Sequence, residues 1–209
     1  VARDIVHPIE ILVPISNYDV FSCLKIKVGL TLYDTLAGRY RIVRHKTVGS
    51  RYLTQKASVI NSDNILKTFS YWDAQTDDVA LTGRVAKSAA YLGGGITEQT
   101  QAIKIFRRKD KWLVTVKESS GKEKGVEASC VVNCLGPWAN EFLLTSHISP
   151  PFSAVSNKGV HLVLKDVGLK SGLLLSNKKD SRVVFVLPWL GRTLIGTTEE
   201  LFTGDPSQV

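Results

Sequence analysis

The chain has 209 residues and 44% of them are hydrophobic, enough for one sizeable core or two small ones. Its 27 lysines and arginines against 19 acidic residues give a formal charge of +8, which suits an anionic substrate, nucleic acid or anionic lipid, or a basic surface without a partner. No apolar run approaches the ~18 residues of a membrane span, which argues against a transmembrane helix. The three cysteines form no Cys-x-x-Cys pair, which argues against a disulfide framework and a zinc site.

The start of the chain predicts turns followed by one long helix. Pro8 and Pro14 favour short turns over residues 1–20. Between residues 21 and 36 the apolar residues fit both the alternation of a strand and the spacing of a helix, and the length of the run and Gly38 at its end favour the helix. Residues 39–64 are basic and polar, which predicts a surface connection with room for one short helix.

The middle and the end of the chain differ in their predicted elements. After a strand at 68–72, Asp77 or Thr76 is predicted to cap a helix that ends at the glycines 93–95. The remaining pattern predicts strands at 96–105, 112–117 and 126–133, a helix at 137–144, and strands at 154–165, 172–176, 182–187 and 192–198. A helix-bearing middle and a strand-rich end indicate two structural contexts.

Three clusters carry the functional signal. The run Val131-Val-Asn-Cys-Leu-Gly-Pro-Trp138 predicts a strand end, a glycine where the backbone can approach a ligand, and the start of a helix. The other two are Asn157-Lys-Gly-Val-His161 and Pro188-Trp189 followed by Gly196-Thr-Thr198. Taken alone, the first pattern fits an ordinary tight turn about as well.

Together these clusters resemble the FAD-dependent glycerol-3-phosphate dehydrogenases of the D-amino-acid-oxidase superfamily, with their glycerophosphate oxidase branch. That family reads Val-Asn-Ala-Thr-Gly-Pro-Trp, then Lys-Gly-Ser-His, then Pro-Trp ending in Gly-Thr-Thr-Asp, in the same order over nearly the whole chain. It also has a helix at 21–37, which decides the ambiguity there. This chain departs from the family at Ala80 in place of Arg, at Cys134-Leu135 in place of Ala-Thr, and at Val160 in place of Ser.

The resemblance implies an α/β fold with α+β character, made of a partial FAD-binding domain with a β-meander and an antiparallel-sheet substrate domain of the D-amino-acid-oxidase type. We expect a mainly helical lead-in at 1–57, the first substrate-domain strand at 58–73, the middle of the FAD-binding domain at 74–145, and substrate-domain strands at 146–209. The family's Gly-x-Gly-x-x-Gly fingerprint is absent from these residues. We therefore expect an internal fragment that binds FAD weakly or not at all and is inactive alone.

The resemblance also implies roles for individual residues. His161 would take the substrate hydroxyl proton as hydride leaves for the flavin, whereas an unplaced histidine is more often satisfied by a neighbouring strand. Lys158 would hold the substrate phosphate as a point charge, although most lysines stay solvated. The expected cofactor wall is Ala102, Gly136, Pro137 and Trp138, and no metal site is expected. Asp77 and Asp78 could form a carboxylate pair for acid–base work, but helix capping explains them better.

For the intact parent, the resemblance implies oxidation of sn-glycerol 3-phosphate to dihydroxyacetone phosphate, with hydride passing to FAD and electrons to a membrane quinone. The parent would be cytoplasmic and peripheral to the inner face of the cell membrane, and the resemblance leaves a homodimer open. The alternatives are an O2-using glycerophosphate oxidase, a relative acting on an amine or hydroxy acid, and a non-catalytic binding or scaffold module. No nucleic-acid partner is expected, because the aromatic residues (8%) form no ladder with the basic ones.

Overall fold

The computed structural model describes residues 4–16, 20–152, 155–176 and 182–208. Its elements in chain order are β1 (Val6–Ser16), α1 (Val20–Ala37), β2 (Lys46–Val48), α2 (Ser50–Lys56), β3 (Ile65–Thr76), α3 (Asp78–Tyr91), β4 (Thr100–Arg108), β5 (Lys111–Glu118), β6 (Glu123–Ala128), α4 (Ala139–Thr145), β7 (Ser156–Lys158), β8 (Leu162–Lys165), β9 (Gly172–Ser176), β10 (Val183–Trp189), β11 (Arg192–Gly196) and β12 (Glu200–Phe202). The chain divides into two compact units, residues 1–85 with 159–198, and residues 86–158 with 199–209. The predicted domain boundaries stay a prediction.

The first unit is built on a seven-stranded sheet in the order β2-β3-β1-β9-β10-β11-β8. Strand β1 pairs in parallel with β9, and every other pairing in this sheet is antiparallel. The prediction of short turns over residues 1–20 was wrong, because β1 is an interior strand of this sheet. Pro8 and Pro14 lie outside the short stretch, Ile11 and Leu12, that pairs with β9, so they interrupt no pairing with that strand.

Side chains of β1 alternate between the two faces of this sheet, as expected for a strand buried on both sides. One face is covered by α1, and its buried residues are Ile11, Val13, Ile15, Phe69 and Tyr71. On the other face the buried residues are Leu12, Leu53, Ala57, Leu169 and Leu173. Leu53 belongs to α2, so the predicted surface connection at 39–64 contributes directly to the core.

The two long helices follow their sequence signals. Helix α1 ends at Ala37, and Gly38 has a φ of +50°, a conformation that suits glycine. The strand alternative for this segment was therefore wrong. Asp77 caps α3, since its Oδ1 accepts a hydrogen bond from the N–H of Ala80 at 2.9 Å, and Gly93 follows the helix with a φ of +91°.

The second unit contains the predicted meander, the three-stranded antiparallel sheet β4-β5-β6. Helix α4 packs beside it, and Ser146 Oγ accepts a hydrogen bond from the N–H of Ile105 at 2.9 Å. Strand β6 ends at Ala128, so the strand predicted at 126–133 is wrong beyond that residue. The single strand predicted at 154–165 is also wrong, because the described part of it forms β7 and β8 in different sheets.

The mixed α/β elements agree with the predicted fold class. The three cysteines are free, and Cys130 and Cys134 are exposed. Among the described residues, no helix combines the length and the apolar character needed to span a membrane.

Candidate active site

His161 lies in the three-residue break between β7 and β8, and its side chain is exposed. The β8–β11 register pairs Leu162 with Ile195, so the next position along β11, Gly196, faces His161. The imidazole covers this glycine closely, because a Cβ built on Gly196 would lie 2.5 Å from His161 Cδ2 and 2.9 Å from Cγ. The prediction that His161 stands within a strand was wrong, but its ring is still placed by a strand, β11.

The ring nitrogens of His161 have no hydrogen-bond partner within the described residues. An imidazole that is exposed and not tied to a neighbouring strand can exchange a proton with a bound hydroxyl group. This arrangement differs from that of a histidine satisfied inside a sheet, the alternative left open by the sequence.

Lys158 lies at the end of β7 and belongs to the second unit, whereas His161 belongs to the first. Its Nζ is 5.6 Å from the centroid of the Phe202 ring, a cation–π contact between neighbouring strands of the β7–β12 pair. Lys158 is half-buried, and its ammonium group has no carboxylate within salt-bridge distance among the described residues. Its assignment to the substrate phosphate stays a prediction.

Gly136, Pro137 and Trp138 form a single 3-10 turn in the second unit. Gly136 has a φ of +55°, and nothing lies within 4 Å of the position of a Cβ on it. The side chain of Asn133 holds the turn by donating to the carbonyl of Ala139 at 3.2 Å and accepting from the N–H of Leu135 at 3.1 Å. Gly136 therefore has a left-handed backbone conformation with open space beside it, at the position where the sequence predicted that the backbone can approach a ligand.

Ala102 is half-buried in β4 opposite Val116, in the same unit as the Gly136 turn. The β4–β5 register shifts between Ala102 and Lys104, so the backbone next to Ala102 departs from regular pairing. Irregular backbone at this position is compatible with a contact to a ligand that depends on geometry more than on a side chain.

Residues 129–135 form no strand or helix, and their backbone makes no ladder bond within the described chain. Together with the open position at Gly136, this exposed backbone fits one wall of a flat cofactor. The short helix α4 adds little dipole, and the chain lacks the glycine-rich fingerprint that recognises a pyrophosphate. The residues present therefore fit part of an FAD site. Among the described residues, no cluster of three or more His, Cys, Asp or Glu side chains could hold a metal ion.

Two features of the first unit were missed from the sequence. The first is Thr198, which bonds to the residue before His161. The second is Glu10, a buried carboxylate that borders a cavity of about 380 Å³ also lined by Trp72, Trp189 and Arg192. Its only sequence signal is a charge between two isoleucines of an apolar strand.

The exposed histidine of the first unit and the open glycine turn of the second are each compatible with a flavin-dependent oxidoreductase. Residues 22–209 match the family described as FAD dependent oxidoreductase, and the chain belongs to that family. This membership confirms the predicted family and fold class. The family is FAD dependent, which confirms the predicted cofactor.

Individual relatives agree with this assignment. The chain is 30% identical over 187 residues to the aerobic glycerol-3-phosphate dehydrogenase of Escherichia coli strain K12, covering 88% of this chain and 36% of that protein. It is 29% identical over 211 residues to the D-erythritol 1-phosphate dehydrogenase of Brucella abortus, covering 100% of this chain and 41% of that protein. The solved glycerol-3-phosphate dehydrogenase from Bacillus halodurans, complexed with FAD, superposes with a TM-score of 0.77 at 21% identity, covering 96% of this chain and 36% of that one. The chain thus spans well under half the length of these relatives.

Proposed function

We propose that this chain supplies the catalytic base and part of the cofactor wall for oxidation of sn-glycerol 3-phosphate to dihydroxyacetone phosphate. The observation that carries the proposal is the exposed imidazole of His161. The ring packs against Gly196, and neither ring nitrogen has a hydrogen-bond partner among the described residues. The relatives named as glycerol-3-phosphate dehydrogenases support the substrate. FAD, when bound, accepts the hydride.

The chain's own contribution is the transfer of one proton. As the C2–H bond breaks and its electron pair departs as hydride, the hydroxyl O–H bond also breaks and a ketone forms. His161 takes that proton as the general base, the role that an imidazole fills most often in enzymes. Val160 lacks the hydroxyl group that the family's serine offers at this position, so any hydrogen bond from it is absent.

Lys158 is proposed to contact the phosphate of the substrate. The Phe202 ring holds the ammonium group by a cation–π contact, which is weaker than a charge-assisted hydrogen bond to a phosphate dianion. The lysine can therefore exchange the ring for the anion at small cost. The basic surplus of the whole chain would add attraction at longer range.

We further propose that a membrane quinone is the electron acceptor and that the parent contacts the cytoplasmic face of the membrane. Helix α1 supports this, because it exposes an apolar stripe on the side opposite its core-facing residues Cys23, Ile26 and Leu30. The exposed residues of the stripe are Leu24 (66%), Val28 (60%), Leu32 (57%) and Leu36 (78%). The exposed Lys25 and Lys27 lie on the same helix, and apolar and basic residues together are typical of helices that lie on an anionic bilayer.

Two other activities are alternatives that experiment can distinguish. An O2-using glycerophosphate oxidase would share every residue described, so the product of the acceptor reaction distinguishes it: peroxide output from the full-length protein would favour the oxidase. The second is oxidation of D-erythritol 1-phosphate, because the relative of that name matches the whole of this chain. Comparing the kcat/KM values for the two polyol phosphates would decide between these substrates.

The test of the base is His161→Asn in the full-length protein. We expect turnover to fall by about 10²–10⁴-fold while the FAD content stays unchanged. His147→Asn is the matched control, because His147 is also exposed and its φ of +57° is one that asparagine tolerates. Activity within severalfold of the wild type in His161→Asn would leave the ring a structural role, and a binding or scaffold module would become the better interpretation.

Cofactor binding by this chain is tested separately. We expect the purified 209-residue chain to hold FAD weakly or not at all, because the fingerprint for the pyrophosphate is missing from it. Absorbance of flavin after gel filtration measures the bound fraction, and stoichiometric FAD would refute this expectation.

A further inference from the structure

The position of the His161 ring depends on the absence of a side chain at residue 196. A Cβ on Gly196 would lie 2.5, 2.9 and 3.1 Å from Cδ2, Cγ and Nε2 of the imidazole. Ordinary carbon contacts are about 3.5–4.0 Å, so the ring occupies space that any other amino acid at this position would fill. Gly196 thus forms a seat for the imidazole.

The backbone immediately before His161 is held from the same segment. Thr198 Oγ1 accepts a hydrogen bond from the N–H of Val160 at 3.0 Å, and the N–H of Thr198 donates to the carbonyl of Val160 at 3.2 Å. One residue thereby fixes both peptide groups of Val160. Residue 159 adds to this close approach, since a Cβ on Gly159 would collide with Thr197 Oγ1 and lie 2.9 Å from the carbonyl oxygen of Thr198.

Burial does not fix this ring, because His161 is exposed. Without the seat and the two hydrogen bonds, the side chain would be free to sample other rotamers in solvent. From these contacts we propose that Gly196 and Thr198 are positioning residues that hold the His161 imidazole in one orientation. The proposal rests on the catalytic role of His161 proposed above, and it gives the Gly196-Thr197-Thr198 motif a physical function.

The two residues act through different contacts and call for different substitutions. Gly196→Ala places a methyl group against three ring atoms, and the ring can swing into solvent at little cost to the fold because it ends an exposed side chain. Thr198→Val keeps the shape and the backbone hydrogen bond of Thr198 but removes the acceptor for the N–H of Val160. Thr198→Ser restores that acceptor and serves as the rescue variant.

The first experiment needs neither FAD nor turnover. NMR of the imidazole groups in the 209-residue chain resolves only four histidines, and the His161 signals are assigned by their loss in His161→Asn. We expect Gly196→Ala to shift the His161 ring resonances, leave those of His45 and His147 in place, and leave the melting temperature unchanged. Gly29→Ala is the matched control, since nothing lies within 4 Å of a Cβ there. Unshifted His161 resonances in Gly196→Ala would overturn the proposal.

The second experiment separates positioning from folding in the full-length protein. We expect Gly196→Ala and Thr198→Val to lower kcat by about 10–100-fold with little change in KM, because a misplaced base reduces the chemical step more than binding. Thr198→Ser should recover most of the loss. A change confined to KM, or equal losses in Thr198→Val and Thr198→Ser, would contradict the proposal. If His161→Asn leaves turnover intact, the base assignment fails, while the NMR result still decides whether Gly196 seats the ring.

Discussion

Glu10 is the residue whose replacement most directly tests how the first unit is held together. It is 5% exposed in the interior strand β1, and its carboxylate accepts hydrogen bonds from Tyr52 (2.9 and 3.0 Å), Ser70 (2.5 Å) and Ser171 (2.9 Å). The Nζ of Lys56 lies 3.8 Å away. One side chain therefore connects α2, β3 and the segment that leads into β9.

The loss in the free energy of unfolding expected for Glu10→Ala follows from the hydrogen-bond donors that lose their acceptor. The side chains of Ser70 and Ser171 are each 1% exposed, so their hydroxyl groups would lose a partner where water does not reach them. At about 1–3 kcal/mol for each buried group left unsatisfied, and with little added by the partly exposed Tyr52, we expect a loss of about 3–5 kcal/mol. Glu10→Gln keeps the shape and an acceptor oxygen, and we expect it to cost about 1–2 kcal/mol.

The pH dependence gives a second, independent check. Burial alone would raise the pKa of Glu10, but the hydrogen bonds from Ser70, Ser171 and Tyr52 and the charge of Lys56 outweigh it and lower the pKa below its ordinary 4.5. The stability contributed by the ionised carboxylate is therefore present above pH 4.5 and is lost as the pH falls through the lowered value. The difference between wild type and Glu10→Gln should shrink over that range.

Urea unfolding followed by tryptophan fluorescence measures these differences, with Glu123→Ala on an exposed strand position as the control. If Glu10→Ala lowers the free energy of unfolding by less than about 1 kcal/mol, the reasoning is refuted. The hydroxyl groups that had bonded to Glu10 would then have found other partners or water. An unchanged difference across the acidic range would refute the role of the charge.

Three further predictions concern other buried groups. Asp34 Oδ2 accepts from the backbone N–H of His45 at 3.0 Å and pairs with its Nδ1 at 2.7 Å, so Asp34→Asn should lower the free energy of unfolding by about 1–3 kcal/mol at pH 7. Burial alone would raise the pKa of Asp34, but the hydrogen bonds from His45 outweigh it and lower the pKa. The difference between wild type and Asp34→Asn should therefore disappear as the pH falls through that lowered pKa, and a difference that does not change with pH would contradict this. Burial raises the pKa of Tyr71 to about 12 from 10.0, so stability should decline as the pH rises between these values, with the Tyr71 phenolate absorbance appearing last. Leu53→Ala should cost about 2–5 kcal/mol, whereas Leu144→Ala, at a site 61% exposed, should cost little, and equal effects in urea unfolding would show that α2 is not part of the core.

Local patterns predicted the elements whose signals lie within a few residues. The apolar spacing of α1 fitted a strand equally well, so its length, Gly38 and the resemblance to the family decided for a helix, whereas α3 was predicted from its cap at Asp77. The meander β4-β5-β6 followed from alternation between turns. Strand β1 was missed because Pro8 and Pro14 resemble turn signals, whereas its pairing with β3 and β9 depends on residues far along the chain.

A sequence motif predicted the candidate site, and the strand pairings of the structure corrected the surroundings of its histidine. His161 was selected through its place in a motif, but the surrounding residues suggested a continuous strand at 154–165. The observed break at 159–161 leaves β7 paired with β12 and β8 with β11, partners that lie more than twenty-five residues further along the chain. No short-range pattern contains that information.

The sequence by itself predicted helix α3, the meander, the family and the histidine of the proposed chemistry, since each depends on neighbours in sequence or on motifs in a fixed order. Only the tertiary structure decided that Gly196 seats that histidine, that Thr198 holds the preceding peptide, and that Glu10 has its donors. Glu10 and Ser171 are 161 residues apart and His161 and Gly196 lie on adjoining strands, so these contacts exist only once the sheet has set its register.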